Sequence, residues 1–317
     1  MISYVLFEGR PATTRGRWIN PLILGLFGMI DALPQLKKAD RPVFILGTGR
    51  SGTTLLGRIL STHPDIGFLN EPKLLWHKVH DGEDVSGSYS LLPGRFTLGH
   101  EDATETRRIL IHKLHGAYLL LSGSNRVLDK YPELVFREPF VTALFPDAKF
   151  IFMSRDGWDT CASVATWSSR FGVVENGQKS DWWGLGGRKW KLIVDELVPC
   201  HPDLAPHQAA IAALTSQHEM AVVEWIIAMQ KGLSLLGTCG GQIMHLNYED
   251  LCAAPANWVE MVSEFVGLQH HPRPAIYASK VLHQSRRTEV ISLPDFLKGP
   301  FNATQEALGY DHSRWAK

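Results

Sequence analysis

The segment VFILGTGRSGTTLLGRIL at residues 43–60 constrains this chain more than any other. Val43 to Leu46 reads as a buried strand, Gly47 to Gly52 as a loop and Thr53 to Leu60 as a helix. A glycine loop that leaves a strand and opens a helix can cradle a phosphate. Its backbone turns tightly, successive N–H groups point inward, and the helix N-terminus adds partial positive charge. The pattern GxxxxGK[ST] of nucleotide triphosphatases is nearly met, with Gly47 and Gly52 in place, but Thr53 stands where the lysine belongs and the basic group is Arg50. Without that lysine the loop lacks the charge that reaches β- and γ-phosphates. It suits a smaller anion with one transferable group.

The same alternation continues along the chain. Strands are expected at about Ile66 to Leu69, Arg126 to Leu128, Lys149 to Met153 and Ile243 to Leu246. Helices are expected at about Pro132 to Leu144, Thr160 to Trp167, Tyr248 to Leu251 and Trp258 to Val266. This predicts an α/β fold of the P-loop type, a three-layer α/β/α arrangement with a central parallel sheet and helical insertions. Two less regular stretches, about 74–125 and 168–218, carry Trp76, Trp182, Trp183 and Trp190. Insertions at the carboxyl ends of strands wall the ligand crevice of such sheets, so acceptor binding is assigned to them. Packing of helices onto the sheet is an equal use for each tryptophan.

The 317 residues, 44% hydrophobic and 20% charged, fit one globular domain over 41–317 with residues 1–40 packing against it. Thirty-two basic residues balance thirty-two acidic ones, so nothing steers the whole chain toward nucleic acid, and an anion site has to be a local cluster. The four cysteines are widely spaced without a CxxC pair, as in a cytoplasmic protein with reduced thiols. The apolar stretch Ile19 to Leu33 is too short to span a bilayer. It reads as a helix on the domain, with peripheral membrane contact the alternative. It also makes a poor secretory signal, which again favours the cytoplasm.

Arg50-Ser51-Gly52-Thr53-Thr54-Leu55 resembles the 5′-phosphosulfate loop of sulfotransferases that use 3′-phosphoadenosine-5′-phosphosulfate (PAPS). The stretch Phe44 to Pro72, with His63-Pro64-Asp65 and Asn70-Glu71-Pro72, is similar to the tyrosylprotein and bacterial branch of that family. Leu144 to Gly157 resembles the strand and turn that hold the 3′-phosphate, which implies that role for Arg155 and for Ser163 eight residues on. A guanidinium at a strand end beside a helix hydroxyl is a compact oxyanion receptor. Asn247-Tyr248-Glu249-Asp250-Leu251 resembles the segment whose tyrosine lies near the adenine. Ser279-Lys280-Val281 resembles one whose serine approaches the transferring group.

The resemblance implies a sulfuryl transfer from PAPS to a hydroxyl or amine, with PAP as product and no metal. Gly49 to Thr54 would hold the 5′-phosphate, Arg50 would stabilise charge on the leaving oxygen, and Lys130 would neutralise sulfuryl oxygens. Glu71 is the candidate base, with His112 and His115 as substitutes among fourteen histidines. The acceptor is expected to be a small metabolite or a glycan or lipid rather than peptide tyrosine. Arg286-Arg287 is a further candidate for the 3′-phosphate. A P-loop kinase and a catalytically silent nucleotide-binding protein are the competing readings.

Overall fold

A computed structural model describes residues 19–90, 92, 94–175, 177–283 and 291–310. Arg286 and Arg287 lie outside them. Five parallel strands form the centre: β1 (Val43–Gly47), β2 (Ile66–Asn70), β3 (Arg126–Lys130), β4 (Lys149–Ser154) and β8 (Ile243–Asn247), in the order β2-β3-β1-β4-β8. Three short strands, β5 (Val173–Glu175), β6 (Gln178–Asp181) and β7 (Gly184–Leu185), make a separate antiparallel sheet.

The helices in chain order are α1 (Asn20–Ala32), α2 (Thr53–Leu60), α3 (Lys73–Val79), α4 (Glu105–Ser122), α5 (Glu138–Leu144), α6 (Gly157–Phe171), α7 (Arg188–Leu192), α8 (Gln208–Ala212), α9 (Gln217–Thr238), α10 (Tyr248–Ala253), α11 (Pro255–Phe265), α12 (Pro272–Val281) and α13 (Asp295–Ala307). Strand side chains alternate between two helical layers, as the two-residue pleat requires. Phe44, Leu46, Phe150 and Phe152 face the larger core with α1, α3, α4, α9 and α13. Val43, Ile45, Ile151 and Met153 face α2, α10, α11 and α12. The three-layer α/β/α expectation holds. By length and composition α9 is apolar enough to cross a membrane, but 67% of its apolar window is buried inside this fold.

Three local expectations needed correction. The helix expected over Pro132 to Leu144 is a 3-10 turn, Pro132–Phe136, followed by α5, because Pro139 offers no N–H and its ring crowds the carbonyl four residues back. The insertion 74–125 is more regular than its composition suggests. It contains the 18-residue α4, capped by Thr104, whose side chain accepts from Arg107 N, and closed by Gly123 at φ 66°. The insertion 168–218 contains the β5–β7 sheet. There Val173, Val174 and Glu175 pair antiparallel with Ser180, Lys179 and Gln178.

Candidate active site

The loop after β1 ends the central strand, where the carboxyl ends of β3 and β4 flank it. Gly47, at φ 143°, lies so close to the Met153 carbonyl that a Cβ would collide with it. Gly52, at φ 87°, starts α2 under the Tyr248 ring, which fills the space a side chain would need. Ser51 is buried and shares a 2.5 Å hydrogen bond with the Thr48 hydroxyl, which fixes the floor of the loop. The N–H groups of Thr53 and Thr54 point out of the α2 N-terminus with no intrahelical acceptor.

The second cluster closes on the first. Arg155 follows β4, and its Nη1 donates to the Arg50 carbonyl at 3.1 Å. Arg50 Nε donates to Ser163 Oγ, on α6, at 2.9 Å. The Arg155 guanidinium lies 4.8 Å from the Tyr248 ring centre, and Asp159 is its carboxylate neighbour at 3.4 Å. Burial lowers the pKa of Arg50, repulsion from Arg155 lowers it further, and Glu71 opposes both. Two guanidiniums held side by side above a glycine loop form a receptor for a multiply charged anion.

Glu71 follows β2 and Lys130 ends the adjacent β3, and the last residues of the two strands, Asn70 and Lys130, are in register. The Glu71 N–H donates to the Lys130 carbonyl at 2.7 Å, and the Lys130 ammonium, 1% exposed, pairs with the Glu71 carboxylate. Three non-glycine residues among those described have positive φ, and two are Arg50 (71°) and Glu71 (55°). Left-handed backbone costs a side-chain-bearing residue about 1–3 kcal/mol and persists where the surroundings over-determine it. Nearby, Lys73 pairs with Glu133 at 3.2 Å, and Lys189 with Glu224 at 2.5 Å. Burial opposes ionisation of Glu133, but Lys73 and then Lys189 outweigh it and hold its pKa low.

The structure does not join every expected residue to this cluster. Ser279 is exposed on α12, and its hydroxyl donates back to the Ala275 carbonyl of the same helix at 3.0 Å. His115 is enclosed beside Phe145 and Trp76, and burial pushes its pKa down to about 3. His112 is bonded to the Leu144 carbonyl at the end of α5. Neither histidine is placed to replace Glu71. Among the four tryptophans, Trp76 bonds Asp129, Trp183 bonds Gln217, and Trp190 packs edge-on against Trp183, all three as core. Trp182 alone reaches the loop. Its ring covers Gly49, its Nε1 donates to Glu224 at 2.7 Å, and Trp167 meets it edge-on at 5.5 Å.

Sequence reasoning missed the residues that support the Arg155 turn. Asp156 caps α6, Glu249 accepts from the Asp156 N–H, and Gln305 on α13 bonds both Asp156 and the Gly157 N–H. Tyr310 donates to Glu249 at 2.7 Å. Glu249 sat inside the quoted Tyr248 motif, whereas Gln305 and Tyr310 carried no local signal. Among the described residues, no group of three or more His, Cys, Asp or Glu side chains is arranged to hold a metal.

Comparison with known proteins gives one family model and several partial matches. A family model described as "Sulfotransferase family" matches residues 42–184. Nodulation protein NoeE of Sinorhizobium fredii (strain NBRC 101917 / NGR234) is 30% identical over 134 residues, which is 40% of this chain and 32% of that protein. Drosophila melanogaster protein-tyrosine sulfotransferase is 32% identical over 127 residues, 38% of this chain and 24% of that one. The matches thus span about a third or less of the length of these two relatives. A solved sulfotransferase domain from the curacin biosynthetic pathway aligns with 87% of this chain and 99% of its own at 14% identity and TM-score 0.49. The loop of Arg50, the strand end of Glu71 and the Arg155–Ser163 receptor all fall inside the stretch that is similar to the sulfotransferase family model.

Proposed function

We propose that this protein transfers a sulfuryl group from PAPS to a hydroxyl of a small metabolite or a glycolipid. The observation that carries the reading is the direct link between the two anion-binding halves: Arg50 to Ser163, and Arg155 to the Arg50 carbonyl. A nucleotide with phosphate at both its 3′ and 5′ positions fits that arrangement. The 3′-phosphate falls to Arg155 and Ser163, the 5′-phosphate to the N–H and hydroxyl groups of Gly49 to Thr54, and the adenine side to Tyr248. PAPS, when bound, supplies an activated sulfur and a good leaving group in its 5′-phosphate.

The chain's residues then divide the work. Glu71 accepts the acceptor hydroxyl proton as the oxygen approaches sulfur, a contribution typically worth ~10²–10⁴-fold in rate. Lys130 holds the Glu71 carboxylate in place before reaction and balances negative charge beside it. Arg50 stabilises charge that grows on the leaving oxygen, an electrostatic effect that needs no reorganisation because the loop is already folded. The Trp182 and Trp167 rings form an apolar corner beside the loop, which favours an acceptor with a ring or acyl surface. Ser279, engaged within α12, enters this scheme only if α12 shifts. All four cysteines are free thiols, which supports a cytoplasmic location.

A thermal-shift comparison tests the donor site. PAP at 100 times its dissociation constant adds about 2.7 kcal/mol of stability. The expected result is a clear shift with PAP, little with ATP and magnesium, and loss of the PAP shift in Arg155→Ala. A shift with ATP–magnesium and none with PAP would put a kinase in its place.

A further inference from the structure

One side of α9 borders a cavity lined by none of Arg50, Glu71, Lys130, Arg155, Ser163 or Tyr248. Ile227, Gln230, Lys231 and Ser234 recur along α9 at helical spacing, and segments of both insertions close over them. The space is about 630 Å³, within the roughly 300–1,000 Å³ of small-molecule sites. Leu98, Phe136, Leu197 and Ile227, all buried, give it an apolar floor. His201 also lines it and is 6% exposed. Neither ring nitrogen of His201 meets a partner at hydrogen-bond geometry, although the Gln230 carboxamide stands beside the ring. That carboxamide donates instead to Thr304 at 2.9 Å. The His201 backbone is fixed on both sides: its N–H donates to the Val198 carbonyl, and its own carbonyl accepts from Leu204 and Ala205. A buried polar group held in place without a partner points to a ligand that supplies one.

The charges on the lining select the kind of ligand. Burial lowers the His201 pKa and outweighs the pull of Asp203, so near pH 7 the ring is neutral and keeps one N–H to donate. Of the two cations, Arg95 is matched by Asp102 at 2.8 and 3.2 Å, whereas Lys231 stands in no ion pair among the described residues. The Glu101 carboxylate is turned back against Gly99. An ammonium and an imidazole N–H beside an apolar floor suit a carboxylate carried on an aliphatic or aryl body.

We infer that this cavity binds a small amphipathic carboxylic acid, with Lys231 and His201 holding the carboxylate and the apolar floor holding its body. The inference is independent of the sulfotransfer chemistry. Cys200 is exposed on the same lining and gives a readout that needs no activity. The full chain is alkylated with iodoacetamide and followed residue by residue by mass spectrometry, with decanoate below its micelle concentration as the probe. Decanoate at ten times its dissociation constant should slow alkylation of Cys200 about tenfold. Cys252, which packs in the other helical layer, should react at an unchanged rate. Decanol has the same chain without the charge and should bind at least about tenfold more weakly, a preference that Lys231→Met should erase. His201→Phe removes a group that bonds nothing in the free protein. Its melting temperature should not fall below that of the wild type, yet its affinity for decanoate should drop about tenfold. No protection in the wild type, equal protection by decanol and decanoate, or unchanged protection in both variants overturns the inference. A lower melting temperature of His201→Phe with protection intact would make the imidazole structural, and overturn it equally.

Discussion

Arg50 and Glu71 hold left-handed backbone although neither is glycine, and they follow the carboxyl ends of β1 and β2, on either side of β3 in one sheet. Their side chains are directed by different partners, Ser163 for Arg50 and Lys130 for Glu71. Glu71→Gln keeps the shape and removes the proton acceptor. The expected result is a PAP affinity within about twofold of wild type and turnover of PAPS with an active acceptor reduced ~10²–10⁴-fold. An unchanged rate would show that Glu71 serves only to pair with Lys130. The motif showed that both residues were present, but the Glu71–Lys130 pair joins positions 59 apart and appears only once β2 and β3 align.

At the scale of elements, α6 carries Ser163, and its start is fixed from the far end of the chain. Asp156 caps the helix and bonds Gln305 of α13. Burial raises the Asp156 pKa from 3.8 to about 6, partly offset by its hydrogen bonds to Gln305 and the Asp159 N–H. A carboxyl whose folded value lies above its unfolded value favours folding most while protonated, and that advantage disappears as pH rises through the window from about 4 to 6. This group alone should cost on the order of 3 kcal/mol across the window. Urea unfolding at several pH values checks it. Wild type should lose stability relative to Asp156→Asn between about pH 4 and 6, and a pH-independent difference between them would refute the assignment. The sequence placed the helix start near Thr160 and so missed the Asp156 cap, and its tie to Gln305, 149 residues away, carried no local signal.

For the whole molecule, both hydrophobic cores share the same five strands, so neither layer can lose its packing without exposing the other. The shared five-stranded core, with α1 packed on α3 and α4, is therefore expected to unfold as one unit. Tryptophan fluorescence and far-ultraviolet circular dichroism should trace a single coincident urea transition, and two separated transitions would contradict this. The ten tryptophans report on both the β5–β7 region and the core, so partial unfolding would not go unseen.

The sequence alone determined the parallel α/β class, the phosphate loop and the identity of its basic residue. Strand–loop–helix chemistry is local, and a glycine at a forced turn or a threonine in place of lysine is visible residue by residue. The positions of Arg155 and Ser163 were equally legible through their motif. Tertiary structure decided which tryptophan faces the loop, because no local signal marks one of the four and only packing brings Trp182 over Gly49. It also excluded His115, whose burial between aromatic rings follows from where α4 crosses the sheet. The buried face of α1, with Ile23, Phe27 and Ile30, has the same cause. Hydrophobic character along 19–33 is local, but which side stays open depends on contacts with α3 and α4.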